Sequence, residues 1–327
     1  MNPETILWIV FILLFIVIFL IDMYVTDHRK GKIKVKTALM WTSVWISTAL
    51  MFGIVIYFYL PGGNQKAFEF ITGYLIEYSL SVDNLFVFIL IFSMMGIKEQ
   101  HQPRILKWGI IGAIVLRIVF IIAGVQLIKA FSFMIYILGG ILVFTAIKMF
   151  TSKGEQIHPD HNIFVKLAKK IFKIKSDVEG DHFFVKHDGE IYATVAFITV
   201  VLLESTDVVF AIDSIPAVLA ITQDSFIAIT SNLFAILGLR SLFFALSGIL
   251  NLFRYLKFGI SFILLFIGVK MLISGWVHIP VETSLLVIMA TLLVSILASV
   301  IIKEEEEIDH HAFKDHPPKN IKDDLLK

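Results

Sequence analysis

The fold is decided by residues 204–217, which read Glu-Ser-Thr-Asp-Val-Val-Phe-Ala-Ile-Asp-Ser-Ile-Pro-Ala and place three carboxylates within an apolar run. A second such segment, 77–84, reads Glu-Tyr-Ser-Leu-Ser-Val-Asp-Asn. Both lie inside stretches that approach the roughly 20 apolar residues a helix needs to cross a bilayer. Because a charge is costly inside a membrane, acids at such positions indicate a functional site.

The rest of the chain has the composition of a membrane protein. It has 327 residues, of which 57% are hydrophobic and 17% charged, whereas soluble domains have about 45–50% apolar and about 25% charged residues. We therefore predict an all-α polytopic membrane protein with about nine transmembrane helices. The predicted spans lie near 5–25, 38–60, 70–95, 107–128, 131–150, 191–222, 226–250, 257–276 and 283–302.

Lysine and arginine are concentrated in alternate loops, which predicts the orientation of the chain. The first, third, fifth and seventh loops carry nearly all of them, and the even-numbered loops hold only Lys66 and Lys129. Since cytoplasmic loops are the basic ones, the amino terminus is expected outside and the carboxyl terminus in the cytoplasm. The first apolar run lacks a basic n-region and a small-residue cleavage site, so we expect a retained helix rather than a signal peptide.

The sequence divides into six predicted segments. The long fifth loop contains Asp188-Gly189 between alternating residues, a hairpin signal, and the tail is acidic and predicted to be solvated. The segments are two N-terminal helices (1–60), a first three-helix repeat (61–150), a cytoplasmic loop with a short hairpin (151–190), a second three-helix repeat (191–276), a last helix (277–302) and the tail (303–327).

The net charge and the absence of cysteine exclude several kinds of partner. A net charge of +1, with the bases spread over short loops, excludes a nucleic-acid partner. Without cysteine there are no disulfides or thiolate nucleophiles, and a metal would be held mainly by oxygen or imidazole. No permanently bound cofactor is expected, and the sequence indicates no oligomeric state.

The two acidic segments belong to an internal repeat. The segment from Glu77 to Asp83-Asn84 corresponds to the segment from Asp207 to Asp213-Ser214. Further along, Leu116-Arg117 corresponds to Leu239-Arg240, and Phe144-Thr-Ala-Ile-Lys148 to Phe266-Ile-Gly-Val-Lys270. Each copy spans three helices (about 70–150 and 191–276), so the second copy is inverted. Inverted repeats are typical of transporters and place the substrate site near the midplane, between the copies.

Charges within the predicted spans must be neutralised. We count five acids and four bases, and nine unpaired charges would cost on the order of 25 kcal/mol. They therefore pair with each other, face water or hold an ion. The acids are flanked by hydroxyl and amide oxygens, which together suit a hard divalent cation, whereas the bases are better explained as ion-pair partners. The acids are Glu77, Asp83, Glu204, Asp207 and Asp213; the bases are Arg117, Lys148, Arg240 and Lys270.

Helix geometry complicates a single metal site. On an ideal helix Asp83 and Asp213 lie about 120° from their partner acids Glu77 and Asp207, so one cation does not easily reach both from a straight helix. Pro216 removes a hydrogen bond to the carbonyl of Ile212. We expect the helix to break there, swinging Asp213 and exposing carbonyl groups.

These motifs resemble the TerC/Alx family. The resemblance rests on residues 73–84, on residues 204–217, and on the segment Thr230-Ser-Asn232-Leu-Phe-Ala-Ile-Leu-Gly-Leu-Arg240, and it extends over essentially the whole chain except the tail. It implies a bacterial inner-membrane protein, historically linked to tellurite resistance, in a family associated with manganese export and with pH or metal homeostasis. It also implies that the five acids above are the intramembrane acids of the family.

The sequence thus predicts a divalent-cation transporter, with Mn²⁺ export as the expected activity. Asp83 and Asp213 are the expected primary ligands, and Asn84 and Ser214 the neutral oxygen donors. The remaining acids are further ligands or proton carriers, with protons as a hypothetical counter-ion. The expected charge partners are Arg117, Arg240 and Lys270.

The same residues fit more than one metal ion and more than one function. Mn²⁺, Ca²⁺ and Mg²⁺ all accept oxygen ligands, so the residues do not choose between them. An enzyme is not expected, since the chain has neither a Gly-x-Gly-Asp nor a His-Glu-x-x-His motif. The alternative is a membrane partner that assists the assembly of other proteins, linked to tellurite or stress resistance, whose buried charges are structural.

Overall fold

The computed structural model describes residues 3–24, 35–151, 162–175, 180, 182–187, 190–247, 255–277 and 279–301. These ranges form helices, one 3₁₀ turn at Glu99–His101 and a small sheet. The helices are α1 (Pro3–Tyr24), α2 (Val35–Tyr59), α3 (Gly63–Met94), α4 (Gln102–Ala130), α5 (Met134–Thr151), α6 (Ile163–Ile171), α7 (Val195–Leu219), α8 (Ser225–Leu237), α9 (Leu239–Ser247), α10 (Leu256–Leu272) and α11 (Val281–Ile301).

The predicted helical membrane fold is confirmed, but the count of nine spans is not. In the described ranges seven helices are long and apolar enough to cross a membrane, or eight if α8 and α9 form one bent span. The remaining predicted span, 257–276, corresponds to α10, which is not among these helices. Its 17 residues extend only about 25 Å at 1.5 Å per residue, less than the roughly 30 Å core of a bilayer.

Local sequence signals set several helix ends. The side chains of Asn162, Thr194 and Asp224 accept hydrogen bonds from backbone N–H groups in the first turns of α6, α7 and α8. Gly62 (φ 68°) and Gly96 (φ 64°) have left-handed backbone conformations at the start and the end of α3, which glycine adopts without a steric cost. The Gly62 turn joins α2 to α3, and these two helices pack against each other.

The two predicted repeats interlock in the bundle. Helix α3 packs against α8, α4 against α7, and α5 against α10. In the predicted repeats the first helices are α3 and α7, the second α4 and α8, and the third α5 and α10. The first helix of each copy thus packs against the second helix of the other, and the two third helices pack together, as two inverted copies related by a pseudo-twofold axis would. Helices α1, α2 and α11 lie outside this core and contact α8, α9, α3 and α10. They carry many of the exposed apolar side chains, as lipid-facing helices do.

Helices α5 and α10 approach closely because each has a glycine at the contact. A Cβ atom on Gly139 would lie 3.0 Å from the carbonyl oxygen of Gly268, and one on Gly268 would lie 2.9 Å from that of Gly139. Small residues at such contacts let helix backbones meet, which is the main source of attraction between helices in lipid. A Cβ atom on the adjacent Gly140, in contrast, would meet no described atom within 4 Å.

The expected break at Pro216 is wrong. Helix α7 continues through Pro216 to Leu219, because the neighbouring helices hold it and only one backbone donor is lost. The interruption occurs instead at Gly238, where α8 and α9 are bent by 41°.

The segment between α5 and α7 contains the strands. Strands β2 (Phe184–His187) and β3 (Glu190–Thr194) pair antiparallel with His187 opposite Glu190, which confirms the hairpin; its Asp188-Gly189 turn lies outside the described residues. A third strand, β1 (Lys173–Lys175), was not predicted and pairs parallel to β3. The acidic tail (303–327) also lies outside the described residues, so its predicted solvation stays a prediction.

Helix α6 in the same segment is strongly amphipathic. Val165 and Ala168 are buried and the helix packs against α7, while Ile163 and Leu167 are exposed. Phe172, just after α6, contacts the rings of Phe184 in β2 and Phe197 in the first turn of α7. The sheet and α6 are thus joined to the start of α7 by one group of aromatic rings.

The α5–α10 contact predicts a difference between two adjacent glycines. Gly139→Val should lower the melting temperature of the purified protein in detergent by several degrees, because the new side chain must push α10 away. Gly140→Val has the same change in helix propensity but meets no neighbour, so its melting temperature should stay near that of the wild type. Equal melting temperatures for the two variants would contradict the close contact.

The absence of cysteine makes the predicted orientation directly testable. Gln223 lies in the connection between α7 and α8, and Gln100 in the one between α3 and α4; both side chains are exposed. With single cysteines at these positions, an impermeant thiol reagent added to intact cells should label Gln223→Cys and not Gln100→Cys. The opposite pattern would reverse the orientation.

Candidate functional site

Arg117 is the centre of a buried cluster of charges. Its side chain is only 1% exposed, and it lies near the middle of α4, while Glu77 and Asp207 lie near the middle of α3 and α7. The guanidinium forms an ion pair through Nη1 with Glu77 Oε1 and through Nη2 with Asp207 Oδ1 at 3.1 Å. Nη1 also donates to Ser214 Oγ at 3.4 Å. One carboxylate from each predicted repeat therefore meets the same cation.

Glu77 is fully buried and accepts from two further side chains besides Arg117. Ser81 Oγ donates to Oε1 at 3.2 Å, and Asn232 Nδ2 on α8 donates to Oε2 at 2.7 Å. Helix α8 comes this close because Gly73, one turn before Glu77, has no side chain; a Cβ there would lie 2.9 Å from Ser231 Oγ. Asn232 was not among the predicted site residues, although it stands in one of the three motifs that carried the resemblance.

Glu204 lies one turn from Asp207 on α7 and points at α4. Its carboxylate fills the space over Gly112, where a Cβ would overlap it. Oε1 is buried and has no hydrogen-bond partner in the part of the chain that the structure describes. The absence of a side chain at Gly112 thus creates the space in which a third acid approaches the Arg117 helix.

The other predicted ligands are only partly brought to this place. Asp213 is half-buried and accepts a hydrogen bond from Thr145 Oγ1 on α5 at 2.7 Å, so it faces away from the Arg117 cluster. The side chain of Asp83 lies outside the described residues. Asn84 and Ser214 are buried, but only Ser214 contacts Arg117. In the part of the chain that the structure describes, no group of three acid, histidine or cysteine side chains is arranged to hold a metal ion.

The remaining predicted charge partners have other roles. Arg240 pairs through Nε with Asp22 Oδ2 of α1 at 3.1 Å, and both side chains are nearly inaccessible. Lys270 donates to Ser284 Oγ of α11 at 2.8 Å. These contacts link the repeats to the outer helices. Asp22 was missed as an intramembrane acid because it lies close to the end of the first predicted span.

A second polar region lies at the amino-terminal end of α3. A cavity of about 410 Å³ there is lined by Gly62, Gln65, Lys66, Glu69 and residues 221–224. Buried Glu69 accepts from Gln65 and from Thr222, at 2.8 and 2.6 Å, and Lys66 pairs with Asp224 at 2.7 Å. Glu69 was missed because it directly precedes the predicted span.

Glu69 also belongs to a row of polar and small residues along α3. Positions 69, 73, 77 and 81 are spaced four apart, so they lie on one side of the helix. Three of them contact α8 or the turn before it, through Thr222, Ser231 and Asn232. The α3–α8 contact is therefore polar from the cavity to Glu77.

The sequence pattern of the integral membrane protein TerC family matches residues 62–307. The chain belongs to the TerC family. Its relatives include "Uncharacterized membrane protein STKORF319" of Myxococcus xanthus, 43% identical over 90% of this chain and 92% of that protein. "Putative membrane-bound redox modulator Alx" of Salmonella typhi is 37% identical over 92% of this chain and 96% of that protein. The protein of the same name in Escherichia coli K12 is 38% identical, over 89% and 93%.

These comparisons confirm the predicted family for this TerC protein. The matched range contains all three motifs on which the resemblance rested. Together with the apolar helices it confirms an integral, multi-pass membrane location. No solved structure matches the chain.

The Asp22–Arg240 pair yields a prediction about stability. Asp22→Asn should destabilise the protein by about 3–5 kcal/mol, because it takes a charged partner away from the buried guanidinium of Arg240. Combining it with Arg240→Gln removes both charges and should restore much of that loss. Thermal unfolding of the single and double variants in detergent measures the coupling, and a double variant as unstable as the sum of the singles would contradict it.

Proposed function

We propose that this TerC protein transports a divalent metal cation, with Mn²⁺ as the expected cargo and export from the cytoplasm of a bacterial inner membrane as the expected direction. The observation that carries the proposal is the meeting of Glu77 and Asp207, one acid from each predicted repeat, at the middle of the bundle. Transporters built from inverted repeats bind their substrates at this place, where a small movement between the copies changes the side that is open.

The charge of the cluster fits a divalent ion. When all four groups are ionised, the carboxylates of Glu77, Asp207 and Glu204 and the guanidinium of Arg117 leave two negative charges. One divalent cation neutralises them. The available ligands are carboxylate, amide and hydroxyl oxygens, which suit hard ions such as Mn²⁺, Mg²⁺ and Ca²⁺ and not soft ones. Protons that replace the metal on these acids are the proposed counter-ion.

The ligand set is proposed to start from Glu77 and Asp207, with Asn232 and Glu204 beside them. Asp83, Asp213, Asn84 and Ser214 stay in the proposal as ligands of another stage of transport. Asp213 lies about 9 Å further along α7 than Asp207, at 1.5 Å per residue. An ion that moves along the helix could therefore meet the two aspartates in turn.

A second candidate is a membrane partner that assists assembly or stress resistance. It is favoured by the ion pairs of Arg117 and Arg240, which would serve to hold helices together. The relatives called Alx carry the name of a redox modulator. In this chain a redox role could not use thiols, since it contains no cysteine. A transport role needs no such group, and neither role requires an enzymatic activity.

Metal flux separates the two candidates. Purified protein in proteoliposomes should move Mn²⁺ down an imposed gradient, and Glu77→Gln or Asp207→Asn should reduce that flux at least about tenfold, because each removes a charged ligand worth more than 1.4 kcal/mol. The control is Glu282→Gln, which changes an exposed acid in the first turn of α11 and should leave the flux unchanged.

Two outcomes would contradict the transport proposal. The first is an absence of Mn²⁺ flux in wild-type vesicles whose protein is folded, judged by its helical circular dichroism and monodispersity. The second is equal flux in the wild type and both site variants. A flux that ignores an imposed pH gradient would remove only the proposed exchange for protons.

A further inference from the structure

Four buried polar atoms of Arg117, Asp207, Asn232 and Glu204 have no hydrogen-bond partner among the described residues, and three of them are acceptors. The acceptors are Asp207 Oδ2, Asn232 Oδ1 and Glu204 Oε1, and the donor is Arg117 Nε. The Asn232 oxygen is the unpaired atom of its amide because the Nδ2 group donates to Glu77. Buried oxygens without donors are costly, and three such oxygens beside an ion pair indicate a place that is completed by a cation or another donor.

The same place is already occupied by one positive charge. The guanidinium of Arg117 bonds Glu77 Oε1 and Asp207 Oδ1, and Glu77 Oε2 accepts from Asn232, so of these four oxygens only Asp207 Oδ2 has no partner among the described residues. A metal ion held by both acids therefore needs an oxygen of Glu77 that is already bonded, and between the two acids it takes the place of the guanidinium. Such an ion and the present position of Arg117 exclude each other.

An arginine in this position would stabilise the metal-free state of a carrier. Without a cation, two carboxylates held together in an apolar interior would repel each other and lack solvation. A charge fixed to the protein can neutralise them after the metal has left. It also lowers the affinity for the metal, which helps release, because the ion must displace the guanidinium in order to bind.

The second repeat supplies a matched comparison. Arg240 stands at the position that corresponds to Arg117 in the sequence repeat, and it is equally buried. Its ion pair is with Asp22 of α1, outside both repeats. Because Asp22 belongs to an outer helix and not to the place where the two repeats meet, this pair is the structural counterpart of the Arg117 cluster.

We propose that Arg117 is a tethered counter-ion that competes with the transported divalent cation for the carboxylates of Glu77 and Asp207. Ser214 Oγ, the neutral partner of the guanidinium at 3.4 Å, keeps a hydrogen bond available to Arg117 when the carboxylates turn to the metal. This inference rests on the proposed function and assigns to Arg117 the control of affinity.

Replacement by a weaker competitor tests the proposal. Arg117→Lys keeps the positive charge but loses the planar, two-pronged donor. The Kd of Mn²⁺, measured by titration calorimetry on the full chain in detergent, should fall about tenfold, the equivalent of one charge-assisted hydrogen bond. The Mn²⁺ flux in proteoliposomes should fall as well, because the ion is released more slowly. Arg240→Lys makes the same chemical change in the structural pair and should alter neither quantity.

The outcome distinguishes the proposal from a purely structural role. A structural Arg117 predicts an unchanged or higher Kd for Mn²⁺ in a folded Arg117→Lys protein, and that result would overturn the proposal while leaving wild-type transport intact. A wild-type protein that neither binds nor transports Mn²⁺ would overturn the proposed function, and this inference with it.

A second variant covers the case in which Arg117→Lys does not fold. Arg117→Ala, purified with methylguanidinium, restores the missing cation as a free molecule. Its Kd for Mn²⁺ should then rise with the concentration of methylguanidinium, while that of the wild type should not. A Kd that is independent of methylguanidinium in Arg117→Ala would overturn the competition.

Discussion

The ion pairs of Arg117 with Glu77 and Asp207 constrain the rest of the core. In lipid, a guanidinium or a carboxylate without a partner is expensive, so three helices must meet wherever these groups do. Helices α3, α4 and α7 accordingly converge at their midpoints. The glycines at 73 and 112 then follow from this convergence, because α8 and the Glu204 side chain need the space that a larger residue would fill.

The same sequence pattern makes different contacts in the two repeats. Each has an arginine after its acidic helix, yet Arg117 bonds two acids at the interface of the repeats while Arg240 bonds one acid of an outer helix. Among the described residues, acids of both repeats thus meet one arginine at Arg117.

The connections at the two ends of the bundle differ as well. At one end a polar cavity reaches Glu69, and the row along α3 continues towards Glu77. At the other, the small sheet and α6 pack around the start of α7. In the part of the chain that the structure describes, the polar groups thus form a buried cluster around Arg117 and a separate cavity at Glu69.

Asn232, Glu69 and Asp22 are buried polar residues that the sequence alone did not reveal as partners in the core. A neutral amide in an apolar run carries no charge penalty, so nothing distinguished Asn232 from a packing residue until α8 was placed beside α3. Glu69 and Asp22 lie near the ends of predicted spans, where water could have solvated them. The break expected at Pro216 failed for a related reason, because packing on all sides can hold a helix that has lost one hydrogen bond.

The sequence by itself determined the class of the protein, its family, the run of apolar helices and the positions of the acids within them. These depend on local quantities: hydropathy over about 20 residues, the cost of a charge in lipid, and the spacing of motifs. The tertiary structure alone decided which charges meet. Glu77, Asp207, Arg117 and Asn232 come from four different helices, and the face each helix turns to its neighbours is set by the packing of the whole bundle.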